Sequence, residues 1–263
     1  MSLFRQLFFV ALCAGTLSGV VITAAHQVGS VPIILEAEVF EKAAEAKAAG
    51  AGPAPVSTPA PAAASTPAAS AAAALTTLAH DHAQAHDHDH AAPAWEPEDG
   101  LERTLYTGLA DVLTGIGFAL LLVCGYALSG TAVDWRKGLF WGLAGFATFT
   151  LAPGLGLPPE VPGTEAAPLL DRQIWWIATV AATGGGLALI AFSRQALWVG
   201  VAVLLIVLPH LIGAPQPLEH VSAAPESLAH RFIVAATVTS LLFWACLGVS
   251  TGALFQRLLP RAA

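Results

Sequence analysis

Charge is what this chain has least of. Asp, Glu, Lys and Arg make up 11% of its 263 residues, against roughly 25% in soluble domains. Together with a mean hydropathy of +0.67, that deficit excludes an ordinary water-soluble globule and points to a membrane protein. Positive charge is the scarcer sign: 11 Lys and Arg stand against 18 Asp and Glu, for a net charge of −7. A basic stripe for nucleic acid is therefore excluded. Cysteine is nearly absent. Cys13, Cys124 and Cys246 are too far apart for a CxxC, so there is no disulfide framework and no zinc finger. They read as small packing residues, with soft ligands at an exit as the alternative. Neither a GxxxxGK[ST] phosphate loop nor a DKTG-like phosphorylation sequence is present, so ATP hydrolysis is not expected. No Ser-His-Asp or paired-carboxylate set can be assembled, so neither an enzyme nor a resident cofactor is expected.

What is abundant is apolar length. A helix needs about 20 apolar residues to cross a bilayer, and six runs approach that: 4–25, 105–129, 138–157, 174–192, 196–212 and 231–255. The expected fold is an all-α polytopic membrane bundle of about six helices with a long disordered outer loop. The fifth run is short and is joined to the fourth only by "SRQ", so the count falls to five if it is re-entrant. The first run, "FRQLFFVALCAGTLSGVVITAA", could be a signal peptide, with Arg5 in its n-region and "TAA" before His26 as a cleavage site. Its length, and Gly15 and Gly19 in GxxxG spacing, favour a retained helix. "ILEAEVFEKAAEAKAA" continues it outward as a charged helix that Pro32 kinks or resets. Three regions follow: 1–49, the first helix and its extension; 50–94, a linker and collecting loop; and 95–263, a bundle of four to five helices.

Orientation follows from the basic residues near helix ends. An N-in, C-in arrangement puts Arg5, Arg136, Lys137, Arg194, Arg257 and Arg261 on short inner segments. Nearly all acids then lie outside. The linker "GAGPAPVSTPAPAAASTPAASAAAA" has the composition of a flexible spacer. It leads to "HDHAQAHDHDH" at 80–90, where His80, His82, His86, His88 and His90 alternate with Asp81, Asp87 and Asp89. Five of the nine histidines fall in this tract. Imidazole and carboxylate at such spacing suit divalent Co, Ni, Zn or Cu, gathered loosely at a pore mouth; a solvated linker is the plainer alternative. Trp95 follows as an interfacial anchor.

Ionisable groups within the apolar runs are functional candidates. They are Asp111 in the second run and His210 in "VLPHLIGAP", beside the helix-breaking Pro209. Close by are His26, Glu36 and Glu38 after the first run, Glu160 after the third, and Glu219, His220 and His230 before the sixth. Together they suggest an outer funnel of nitrogen and oxygen ligands in which Asp111 and His210 share an ion. The plainer alternatives are pairing of Asp111 with Arg103 or Arg172, and capping roles for His210 and Glu160.

Five stretches carry a family resemblance: "HQVGSVPIILEAEVFEK", "WEPEDGLERTLYT" after the His tract, "GLFWGLAGFATFTLAPGLGLPPEVPG", "DRQIWWIATVAATGGGLAL" and "LPHLIGAPQP". In these the chain resembles CbtA, a family of Cbt-type cobalt transporter subunits. The resemblance implies a bacterial inner-membrane protein moving Co2+ for cobalamin synthesis. It also implies a partner, a small one-helix B subunit, and about five transmembrane segments. It carries His26, Glu36, Glu38, Glu160, Arg172, Gln173 and His210 as matched motif positions. The expected function is a divalent-metal permease importing cobalt; the alternative is a membrane metal sensor or accessory protein that hands Co, Ni or Zn to a partner. An exporter is disfavoured, because nearly every candidate ligand lies outside. Self-association is left open.

Overall fold

The computed structural model describes residues 3–50, 97–193, 195–219 and 221–259. Helices α1 (Leu3–Val28) and α2 (Ser30–Gly50) are nearly continuous, because the Gly29 N–H still reaches the Ala25 carbonyl at 2.9 Å. Pro32 stands third in α2, where a missing N–H has little cost, so the helix is interrupted at Gly29 alone and restarts as α2. The helix α3 (Leu101–Ser129) ends at Gly130, whose φ of 62° is the left-handed closure that favours glycine. The Asp134 side chain caps α4 (Trp135–Phe146), accepting from the Lys137 backbone N–H at 2.8 Å. That hydrogen bond holds the Asp134 carboxyl below the ordinary carboxylate range. Its contribution to stability is therefore present above that range and is lost as pH falls through the lowered value.

The third apolar run is not one regular helix. After α4 the backbone widens into a π-turn at Ala147–Leu151, then resumes as α5 (Ala152–Gly156). The Ala152 N–H reaches back five residues to the Ala147 carbonyl. Pro153 is the physical cause: its ring would clash with the carbonyl four residues earlier, and a wider turn relieves that clash. Next come α6 (Leu169–Phe192), α7 (Ala196–Ile212) and α8 (Glu226–Leu258).

Among the described residues, five segments are long and apolar enough to cross a membrane: α1, α3, the broken α4–α5, α6 and α8. At 17 residues, α7 spans only about 25 Å, yet it runs back along α6 as an antiparallel partner, its buried Pro209 beside Trp175 near the start of α6. Gln6 near the start of α1 donates to the Leu258 carbonyl at the end of α8, at 3.0 Å, so both described ends of the chain lie on one face. An even number of passes is needed for that, and α7 supplies the sixth.

The bundle is held by two antiparallel crossings of small residues. Gly15 and Gly19 of α1 meet Ile116, Gly115 and Val112 of α3 backbone to backbone; a Cβ at Gly15 would lie 2.5 Å from the Ile116 backbone. Gly138 and Gly142 of α4 meet Gly248 and Gly252 of α8 in the same way. Between the crossings lies the core, with Val10, Leu122, Tyr126, Phe146, Phe243, Trp244 and Leu247 buried. A smaller core of Ile33, Ala37, Val161, Ala224 and Leu228 ties α2 to the outer loops. The apolar faces of α6 and α7, including Ile177, Leu204 and Leu211, are exposed, as expected of surfaces in contact with lipid.

These crossings leave no room for a side chain. Gly142→Ala should lower the stability of the purified protein by about 1–3 kcal/mol, the usual cost of overpacking. Gly117→Ala, at an α3 glycine facing open space, should not. Thermal unfolding of both variants in detergent checks this contrast.

Candidate functional site

A cavity of about 220 Å³ lies inside the bundle, between α1, α3, α8 and the π-turn, and is lined by His26, Asp111, Thr114, Thr150 and Ser240 among aromatic rings. The α1–α3 crossing puts the first two there: it sets the C-terminal end of α1 beside the second turn of the α3 apolar segment. The Thr23 hydroxyl lies 2.8 Å from Asp111 Oδ2 and 2.9 Å from the Gly19 carbonyl, and its single proton can serve only one of them at a time. The remaining walls are Ile22, Phe118, Phe149, Trp176, Phe243 and Trp244.

Asp111 forms no ion pair among the described residues. The arginines considered for it are engaged elsewhere: Arg103 binds Glu38 and, at 2.9 Å, Asp99, and Arg172 lies 3.5 Å from Glu160. Arg231 pairs with Glu36 at 3.3 Å. Pairing of Asp111 with Arg103 or Arg172 is therefore replaced by a hydrogen bond from Thr23. A carboxylate within hydrocarbon costs about 2.5–3.5 kcal/mol on insertion scales, and one hydroxyl does not neutralise it. The arrangement of imidazole, carboxylate and nearby hydroxyls supplies mixed nitrogen and oxygen donors of the kind divalent transition metals accept. No group of three His, Cys, Asp or Glu side chains that could hold a metal ion occurs among the described residues.

Other candidates fall apart from this cavity. Glu160 lines a vestibule of about 990 Å³ with Arg172, Gln173 and Thr237. Glu36 and Glu38 sit on α2 in their arginine pairs. His210 lies in a third cavity, of about 380 Å³, with Trp175 and Gln216; its ring stands edge-on to Trp175 at 5.9 Å. Trp175 Nε1 donates to the Pro209 carbonyl at 3.2 Å, which also accepts the Gly213 N–H at 3.1 Å, so the bond ties α6 to the end of α7. His210 and Asp111 therefore line separate cavities and do not face a common ion, because the α6–α7 hairpin carries His210 to the far side of Trp175. Glu219 and His230 are exposed. The tract of His80, Asp81, His82, His86, Asp87, His88, Asp89 and His90, and His220, lie outside the described residues. Cys13, Cys124 and Cys246 are free thiols.

Thr23, Thr114, Thr150 and Ser240 were not among the expected site residues. A single hydroxyl in an apolar helix is common and usually bonds back to its own helix, so nothing in the sequence marked these four.

The model of one protein family, described as "Probable cobalt transporter subunit (CbtA)", matches residues 4–256. No curated protein and no solved structure matches the chain.

The ion pairs of Arg103 and Arg231 differ in worth. Arg103 joins two carboxylates and Arg231 one exposed one. Arg103→Ala should cost about 1 kcal/mol and Arg231→Ala close to nothing, the upper and lower ends for surface pairs. High salt should shrink the Arg103 effect, which unfolding at low and high ionic strength would read.

Proposed function

The chain belongs to the CbtA family of probable cobalt transporter subunits, and from that premise we propose that it is the membrane-embedded permease subunit that brings divalent cobalt inward for cobalamin synthesis. A transporter-subunit family is not an enzyme class, and the word subunit implies a partner. Several apolar helices accord with a multi-pass membrane protein. The proposed setting is the bacterial inner membrane with both termini cytoplasmic, supported by Arg5, Arg136, Lys137 and Arg257 at the face where α1 begins and α8 ends. The proposed partner is a small one-helix subunit.

In this reading the His/Asp tract at 80–90 gathers the ion outside, the Glu160 vestibule receives it, and Asp111 with His26 binds it in transit. The observation that carries the reading is Asp111: a carboxylate in a cavity shared with an imidazole, paired with no cation among the described residues. Two strong ligands and several hydroxyls make a weak site, which suits an ion that must also leave. The membrane potential is worth about 2.3 kcal/mol per charge per 100 mV, and a divalent ion moving inward gains twice that. No ATP site is then required. The same sparseness of ligands also favours a second reading, an accessory protein that hands Co, Ni or Zn to a partner.

Uptake of Co2+ by the purified chain in liposomes under an imposed inside-negative potential separates the two. The permease reading expects uptake by the chain alone, loss of it in Asp111→Asn and His26→Gln, and normal insertion of both variants. No uptake without a partner would favour the accessory reading. Deleting 80–90 should lower uptake mainly at low metal concentration, and complete loss at saturating metal would place the tract in the permeation path.

A further inference from the structure

The Asp111 cavity and the Glu160 vestibule share four lining residues: Phe149, Thr150, Trp176 and Ser240. Two are rings, 6.3 Å apart between centroids. The other two carry hydroxyls, one from the π-turn and one from α8. These hydroxyls differ from others in the bundle. Thr179, Thr237, Thr239 and Thr251 each donate to a carbonyl of their own helix at 2.6–2.8 Å. Thr150 and Ser240 make no hydrogen bond to the described residues, nor are their hydroxyls among the fully buried unpartnered atoms. They are open to the cavities they line. A fourth cavity, of about 570 Å³, also touches Phe149; its walls are apolar apart from Thr131 and Thr148, and it holds no carboxylate or imidazole.

We propose that Thr150 and Ser240 are the handover point between vestibule and inner cavity: a pair of hydroxyl oxygens that replaces part of the hydration of a small cation as it passes from beside Glu160 to Asp111 and His26. Phe149 and Trp176 form the apolar half of the same partition and keep the opening narrow. The π-turn matters because it sets Phe149 and Thr150 on adjacent positions of a widened backbone, where π-turns often serve functional sites. Phe149 is braced in place, stacked on Trp244 at 5.6 Å and 11° and edge-on to Phe118 at 5.1 Å. Neutral oxygen donors attract a cation without trapping it, so the step adds no deep well between the two carboxylates.

This inference rests on the permease reading for the identity of the ion, but the passage can be tested without it. In a full-length protein whose native cysteines are replaced, Thr114→Cys places a thiol in the inner cavity and Gln173→Cys one in the vestibule. Intact cells are exposed to a small cationic, membrane-impermeant methanethiosulfonate. Both thiols should be labelled. Adding Thr150→Val with Ser240→Ala should abolish labelling at position 114 and spare position 173. Adding Thr150→Ser alone, which keeps the hydroxyl, should preserve both. Continued labelling at 114 in the Val/Ala background, or no labelling of 114 in the parent, would overturn the handover point. Loss at 173 as well would mean that the double substitution collapses the vestibule; Thr150→Val or Ser240→Ala singly must then still slow labelling at 114 selectively, or the proposal fails. Protection of position 114 by Co2+ reports on the permease reading separately: its absence with an intact labelling pattern removes the metal and leaves the passage standing.

Discussion

Two backbone-to-backbone crossings organise everything else in this protein. Lipid tails are as apolar as leucine, so helices in a bilayer gain little from hiding apolar surface and must gain from close packing instead. Glycine permits it. Gly15 and Gly19 bring α1 onto α3, and Gly138 and Gly142 bring α4 onto Gly248 and Gly252 of α8. The first crossing sets His26 and Asp111 on one cavity. The second sets the π-turn with Thr150 alongside Ser240 of α8. The polar interior is thus a by-product of where side chains were made as small as possible.

The distribution of charge follows from the same frame. Arginines at the helix ends find carboxylates there, Glu38 and Asp99 for Arg103, Glu160 for Arg172 and Glu36 for Arg231. None reaches Asp111, whose neighbour is a threonine. The bundle thus pairs four of its peripheral acids with arginine and leaves Asp111 to a hydroxyl.

Much of this was legible in the sequence because hydropathy and glycine act locally. The runs at 105–129 and 196–212 sit inside or on α3 and α7, and the GxxxG of Gly15 and Gly19 lies at a true crossing. Pro32 marked the restart after α1. Asp111 and His26 were singled out as ionisable groups in or beside apolar runs, and they line one cavity. What the sequence hid was relative position. His210 looked like a companion of Asp111, yet the hairpin of α6 and α7 takes it behind Trp175. Pro153 lay inside a run read as an unbroken span, and its effect was to widen the helix and not to end it. Thr150 and Ser240 are separated by ninety residues and owe their proximity to a helix crossing that no local pattern encodes.

The brevity of α7 bears on the membrane itself. Its roughly 25 Å length falls short of a hydrocarbon core of about 30 Å, while its neighbour α6, at 24 residues, does not. A helix shorter than the hydrocarbon core is matched by local thinning of the bilayer, by snorkelling of flanking residues or by association with a neighbour, each at a modest cost. Thinning beside α7 would give the bilayer a dimple on that flank. Thin bilayers relax that dimple and thick ones deepen it, so bilayer thickness becomes a variable to which the α6–α7 hairpin, and the aromatic wall that Trp176 contributes from it, is mechanically connected.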